Sequence, residues 1–140
     1  MIQRIQSIYL LIGALALVSL AFFDSLWLGP AAEEQDWFAP AMLVAAGLPA
    51  LIGLISIFLY KDRKRQRKVV RVAEVLAVIC LAVLAVGLYL GGLFESEPEG
   101  WSSADFVLLL VPVIAFIMFF MAGRAIDRDI ALIRSMDRLR

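Results

Sequence analysis

Four long apolar runs constrain this 140-residue chain more than any other feature of its sequence. A helix needs roughly 20 mostly apolar residues to cross about 30 Å of hydrocarbon. Runs of that length lie at about 5–23, 39–60, 69–94 and 106–123, and only the third contains charged residues. The sequence therefore predicts an all-α fold: an integral membrane four-helix bundle that forms one transmembrane domain over residues 1–140.

The composition agrees with this class of protein. Hydrophobic residue types make up 63% of the chain and charged types 19%, against about 45–50% and about 25% in soluble domains. There is no histidine, and Cys80 is the one cysteine. These residues supply no constellation of nucleophile, base and metal ligands, so we expect a non-enzymatic protein without a cofactor or a metal. The formal net charge of zero excludes a generally basic nucleic-acid binder.

The charges are strongly segregated along the chain. If it crosses the membrane four times, all 13 Lys and Arg fall on one side, in Arg4, in the connector 61–71 and in the tail after residue 123. The charged residues in the loops on the other side are all acidic, namely Asp24, Glu33, Glu34, Asp36, Glu95, Glu97, Glu99 and Asp105. Because Lys and Arg in short loops set the orientation, we predict both termini in the cytoplasm (N-in/C-in).

A very basic connector joins the second and third spans. Its basic residues are Lys61, Arg63, Lys64, Arg65, Arg67, Lys68 and Arg71. Such a run resembles a nucleic-acid patch, but it has no interleaved aromatic residues and lies between two membrane helices. We therefore expect it to be a loop that fixes the topology and attracts anionic lipid headgroups, at about 1 kcal/mol per basic residue.

Glu74 is the one acid inside an apolar run. Because a carboxylate is costly to bury in a membrane, such a residue is by default a functional hypothesis. Arg71 precedes it by three residues, so the two side chains are neighbours on a helix. The sequence favours an Arg71–Glu74 ion pair at the cytoplasmic interface, and an ion or proton site at Glu74 stays the alternative.

Two prolines have similar spacings in the two halves of the chain. Pro49 follows Trp37 by twelve residues, and Pro112 follows Trp101 by eleven. Both prolines fall near the middle of a predicted span, where we expect helix kinks rather than a transport site. The similar spacings also raise the hypothesis of two parallel helical hairpins related by duplication. Any hydrophobic hairpin with an aromatic belt, however, produces part of this similarity.

Small residues at helical spacing predict close helix packing in the third span. Gly87 and Gly91 are four residues apart and are followed by Gly92, and such spacing lets helices approach closely in lipid. Cys80 lies in the middle of the same span in apolar company, which indicates a small buried residue rather than a nucleophile.

The tail, residues 124–140, has the pattern of a helix that continues the fourth span or lies in the membrane interface. We expect ion pairs three residues apart to support it, Arg124 with Asp127 and Arg134 with Asp137. The tail is the segment best suited to docking a partner. Its candidate docking residues are Arg124, Ile126, Ile130, Ile133, Arg134 and Arg138.

The two ends of the chain resemble a known family. The opening segment at 1–11, the segment Gly123-Arg-Ala-Ile126 and the terminus at 133–140 are similar to the domain-of-unknown-function family numbered 4293. The resemblance implies a small four-helix membrane protein of the Bacteroidetes lineage in the bacterial cytoplasmic membrane. It carries no catalytic or binding residue over to this chain.

The function that these observations favour is that of an accessory, assembly or scaffold subunit of a larger inner-membrane complex. The expected partners are other membrane-protein subunits and the lipid bilayer, with anionic headgroups on the cytoplasmic side and no nucleic acid. The alternative is a small oligomeric transporter or channel that uses proline-kinked helices and Glu74.

Overall fold

A computed structural model describes residues 2–94 and 103–137, with side chains described at 5–94 and 105–136. The described part is helical and contains no strand. Its α-helices are α1 (Ile2–Ser19), α2 (Asp24–Leu28), α3 (Pro30–Glu34), α4 (Phe38–Phe58), α5 (Arg63–Leu90) and α6 (Leu110–Asp137). A 3-10 turn at Leu20–Phe22 extends α1, and a 3-10 segment at Ser103–Leu109 precedes α6.

Four of these helices are long and apolar enough to cross a membrane, which confirms the sequence prediction of four such segments. They cover Ile5–Phe22, Phe38–Phe58, Arg63–Leu90 and Asp105–Met136. Only 28% to 39% of the residues in the most apolar part of each segment are buried inside the protein. Apolar surface on this scale is typical of helices that face lipid, because soluble monomers rarely expose contiguous apolar patches larger than a few hundred Å².

The basic connector is helical, and the prediction of a loop there is wrong. Helix α5 begins at Arg63, so the chain turns from α4 to α5 within residues 59–62. The Asp62 side chain accepts a hydrogen bond of 3.0 Å from the backbone N–H of Arg65, which is an N-cap interaction. The Lys, Arg and Gln residues that follow are good helix formers, so the cap starts a helix well before the apolar run.

The fourth span and the tail form one continuous helix, α6. Pro112 is the third residue of α6 rather than a mid-span residue, so the predicted mid-span kink is misplaced. The first four N–H groups of a helix have no partner within it, and a proline there removes no hydrogen bond. Pro49 lies well inside α4, so the two prolines hold different positions in their helices.

Part of the predicted repeat and of the acidic loops cannot be placed in this fold. Trp101, Glu95, Glu97 and Glu99 lie outside the described residues.

The four long helices pack in antiparallel pairs. Helices α4 and α6 each contact both α1 and α5. The start of α1, the end of α4, the start of α5 and the last turns of α6 meet at one end, which we call the basic end. The opposite end, where α2 and α3 lie, is the acidic end. Fully buried residues between the ends include Leu10, Leu17, Ala77, Cys80, Leu84, Ala115 and Phe119.

Phe119 of α6 lies at the centre of this core. A Cβ added at Gly13 of α1 would lie 2.7 Å from the Phe119 ring, and one added at Gly53 of α4 would lie 2.8 Å from it. Two glycines on different helices therefore leave the space that this ring occupies. Cys80 is fully buried, as predicted.

The three glycines at the C-terminal end of α5 have different structural roles. Gly87 lies directly against the ring of Phe38, and a Cβ added at Gly91, the C-cap of the helix, would lie 2.8 Å from the backbone nitrogen of Ala31. Gly92 differs because it lies beyond the C-cap and has a φ of 79°, in the left-handed region. It therefore belongs to the end of the helix rather than to a helix-packing face, which corrects the prediction for this residue.

Candidate functional site

A cluster of buried polar side chains occupies the basic end. On α5, residues 63, 67, 70 and 74 are spaced four, three and four apart, so they share one helix face. Val70 and Glu74 on this face are buried, and Arg67 is nearly so. Because α6 packs against α5, cations and carboxylates from two helices are brought together there.

Arg67 is the centre of this cluster. Its Nη1 lies 2.9 Å from Glu74 Oε1, and its Nε lies 2.9 Å from Asp127 Oδ2 on α6. The Arg67 side chain is 14% exposed and that of Glu74 is 12% exposed. One guanidinium thus joins two turns of α5 to α6 in a geometry that only a planar, multiply donating group provides.

The predicted Arg71–Glu74 pair is wrong. Arg71 is exposed and forms no ion pair with the described residues, whereas Arg67 takes the position beside Glu74. Arg67 and Glu74 are seven residues apart, which places them on the same face two turns apart. Helix α6 covers that face, and Arg71 lies outside it.

Gly123 makes room for the ion pair. A Cβ added there would lie 2.6 Å from Glu74 Oε1 and 2.7 Å from Arg67 Nη1. The absence of a side chain at this position therefore lets the paired charges lie against the α6 backbone. In the sequence Gly123 stands out only as part of the motif that resembles a family, and its spacing gives no sign of this contact.

Asp129 forms a second polar junction. Its carboxylate is 3% exposed, accepts a hydrogen bond from Gln6 Nε2 of α1 and lies 3.3 Å from Arg63 Nη1 of α5. Three helices are thereby joined at one carboxylate. Gln6 is not among the predicted site residues, although its position four residues before Leu10 places it on the buried face of α1.

A third polar contact closes the turn between α4 and α5. Gln66 Nε2 donates a hydrogen bond of 3.0 Å to the carbonyl oxygen of Ser56. The Ser56 hydroxyl in turn donates a bond of 2.6 Å to the carbonyl of Gly53. Both side chains are buried, so this end of the protein is held by hydrogen bonds as well as by ion pairs.

The cluster is internally satisfied. Among the described residues, every buried side-chain nitrogen and oxygen has a hydrogen-bond partner. The same residues contain no group of three or more Cys, Asp or Glu side chains that could hold a metal ion. Satisfied buried networks of this kind hold helices in one arrangement.

Only part of the predicted headgroup set is free to meet lipid. Arg67 is nearly buried with two carboxylate partners, and Arg63 pairs with Asp129, so the assignment of these two residues is corrected. Both arginines lie on the face of α5 that packs against α6, so their side chains point towards α6. The five other predicted headgroup residues are exposed, namely Lys61, Lys64, Arg65, Lys68 and Arg71.

The predicted docking residues of the tail separate into distinct environments. Ile126 is fully buried because it continues the core face formed by Phe119 and Ala122, so it is not available for docking. Ile130 is half-buried, and the exposed members are Arg124, Ile133 and Arg134. Arg138 lies outside the described residues.

The ion pairs predicted for the tail also need correction. Asp127 pairs with Arg67 instead of Arg124, and the Arg124 guanidinium lies 5.8 Å from the centroid of the Phe120 ring. This is the geometry of a cation–π contact. The predicted partner of Arg134, the side chain of Asp137, lies outside the described residues.

Comparison with known proteins gives one match. The model of the domain of unknown function DUF4293 matches residues 2–139, while no curated protein and no solved structure matches the chain. Apart from residues 1 and 140, the match covers all three segments that carry the resemblance, and it covers the four long apolar helices. The chain therefore belongs to the DUF4293 family.

Proposed function

We propose that this chain is a non-enzymatic, multi-pass protein of the bacterial cytoplasmic membrane, a four-helix bundle with both termini in the cytoplasm. Its role is that of an accessory, assembly or scaffold subunit of a larger membrane complex. The observation that carries the proposal is the exposed end of α6. Residues 131–136, which we call the α6 end, are all exposed and include the apolar side chains Leu132, Ile133 and Met136.

The α6 end differs from the rest of the helix. Up to Asp129, a buried residue recurs every three or four positions and faces the core, as at Phe119, Ala122 and Ile126. Beyond Ile130, the described residues leave α6 uncovered, although apolar side chains continue. Exposed apolar residues on a helix that also bears arginines are suited to a partner helix.

The filled interior favours a structural role over transport. A transport path needs polar side chains near the middle of the membrane. In the described part of the chain, the buried polar side chains all belong to the basic end, namely Gln6, Ser56, Gln66, Glu74 and Asp129. Phe119 and its apolar neighbours fill the centre.

The transporter alternative depends on Glu74 and the prolines. Arg67 already engages Glu74, and Pro112 lies in the first turn of α6. Neither feature leaves a polar group open to a substrate, so the geometry favours the subunit role.

In-cell photo-crosslinking tests the proposal. A photoreactive amino acid is placed at Ile133 or Met136 of the full chain, and Leu43 serves as a control because it is 65% exposed on the apolar surface of α4. We expect a discrete crosslink to one other protein from the α6 end and none from Leu43. That protein must also migrate with the chain in a large complex in mild detergent, and the double variant I133D/M136D must abolish the co-migration.

Two results would contradict the subunit role. Crosslinks from the α6 end only to a second copy of the chain indicate a self-oligomer and favour the transporter alternative. Equal crosslinking from Leu43 and from the α6 end indicates random collisions in the membrane.

A further inference from the structure

A groove between α1 and α6 lies beside the polar cluster and takes no part in it. Its volume is about 370 Å³. The lining residues are Ile5, Tyr9, Met121, Arg124, Ala125, Arg128 and Leu132. The groove therefore combines two arginines, a tyrosine and an apolar floor, and it opens on the outer surface of the helices.

The two arginines are available to a ligand. Arg124 and Arg128 are exposed, lie one turn apart on α6 and form no ion pair with the described residues. The nearby carboxylate of Asp127 is held by Arg67. Two guanidinium groups at this spacing form a favourable site for a phosphate group, because each can donate two parallel hydrogen bonds to its oxygens.

The level of the groove matches the edge of a membrane. On α1 and α6, Gln6 contacts Asp129, and Gly13 lies against Phe119. Tyr9 lies between these levels, so the groove runs from the polar cluster towards the apolar centre. Its arginines are at the polar end of the apolar surface, where long cationic side chains reach lipid headgroups.

The apolar part of the groove fits an acyl chain. Met121 lies on α6 between Arg124 and the apolar centre, Ala125 lies between the two arginines, and both border the groove. Met121 is 39% exposed and Ile5 is 48% exposed. A soluble anion would use only the arginines, whereas a lipid would also cover this apolar wall.

We propose that this groove binds one anionic phospholipid, with its phosphate between Arg124 and Arg128 and an acyl chain along Met121 and Ala125. The site is distinct from the α5 basic residues that the sequence associates with headgroups, and it adds to the proposed subunit role without depending on it. Bound lipid would fill a gap between the first and the last long helix.

Native mass spectrometry of the full chain in detergent tests this site. The probe is a phosphatidylglycerol, with a phosphatidylcholine of the same acyl chains as the neutral-headgroup control and glycerol phosphate as the headgroup alone. We expect one phosphatidylglycerol per chain, and at least tenfold weaker binding of both other compounds. Removing both cations in R124Q/R128Q is expected to weaken the phosphatidylglycerol complex about 30-fold, since each basic residue contributes about a factor of five.

A matched variant separates the site from the general positive charge. R134Q removes one exposed cation of the same helix that does not line the groove, and it is expected to change the binding less than twofold, against about fivefold for R128Q. The variant A125F keeps every charge and fills the groove, so we expect it to lose the lipid. Circular dichroism checks that each variant keeps its helical content.

The other outcomes overturn the proposal. Equal losses in R128Q and R134Q show non-specific attraction. Unchanged binding in A125F shows that the lipid does not occupy the groove. Equal binding of glycerol phosphate and phosphatidylglycerol shows an anion site without a lipid chain. A failure of the α6-end crosslinks, by contrast, affects only the proposed subunit role.

Discussion

The two ends of the helices are held together in different ways. At the basic end, Arg67 and Asp129 join α1, α5 and α6 through ion pairs and a hydrogen bond between side chains distant in sequence. At the acidic end, close packing dominates, with Gly87 against the Phe38 ring and Gly91 against α3. A hydrogen bond of 2.8 Å from Ser25 Oγ to Asp105 Oδ1 adds a long-range polar contact at this end.

This difference follows from the surroundings of the helices. In lipid, apolar contact by itself discriminates poorly between arrangements, so close fit between small and large residues specifies the packing. Near the membrane edge, polar side chains can be hydrated before the helices pack and can pair with each other once the helices have packed. The basic end can therefore use directional ion pairs, and its specificity depends on charge, while that of the acidic end depends on shape.

Removing the Arg67 charge is expected to have the largest effect on this comparison. R67Q leaves the nearly buried Glu74 carboxylate without its cation, and breaking such a pair costs about 3 kcal/mol of the free energy of unfolding. R71Q removes an exposed cation three residues from Glu74 and should change the free energy by less than about 0.5 kcal/mol. Unfolding by SDS titration in mixed micelles measures both.

The double variant R67M/E74M sharpens the same test. It removes both charges together, so we expect a smaller loss of stability than in R67Q. Equal losses in R67Q and R71Q would mean that Glu74 does not distinguish the two arginines, and the ion pair described here would be wrong.

Filling the Gly87 contact is expected to have the next largest effect. G87A inserts a methyl group against the fully buried Phe38 ring, and overpacking of this kind costs about 2 kcal/mol. Gly47 in α4 is the control, because a Cβ there meets no heavy atom within 4 Å. G47A should be neutral or slightly stabilising, since alanine has the higher helix propensity. Equal effects of the two variants in the same SDS titration would exclude shape as the basis of this contact.

Neutralising the buried acid of α6 is expected to have the smallest effect of the three. D129N keeps an oxygen that can accept from Gln6 but loses the ion pair with the partly exposed Arg63, so we expect a loss of about 1 kcal/mol. D127N alters a side chain that is 52% exposed and should cost less than about 0.5 kcal/mol. Thermal unfolding in detergent compares the two, and a greater loss in D127N would reverse this ranking of the carboxylates.

The sequence was sufficient to predict the four long helices. Each of these helices corresponds to one continuous apolar run. Because a backbone in lipid must form its hydrogen bonds within the segment, each run is expected to be a helix. Apolar length does not predict the start of α5, because the Asp62 cap lies outside the apolar run. For the same reason, apolar length predicts a loop at the connector.

The partners within the candidate site were harder to predict. Arg71 and Arg67 are both near Glu74 on a helical wheel, and spacing on α5 does not choose between them. The choice depends on α6, where Gly123 leaves space beside Glu74 and Asp127 offers a second acceptor for Arg67.

The amino-acid sequence by itself determined the number of long helices, their class and the segregation of charge, because each of these depends on residues close together in the chain. The tertiary structure decided which charges are paired, which glycines admit a neighbouring ring and which apolar residues of α6 stay exposed. Ile126 and Ile133 show the difference, since both belong to the same helix but only Ile126 has the core opposite it. The contacts of a side chain depend on the helix that packs against it, and spacing within one helix does not contain that information.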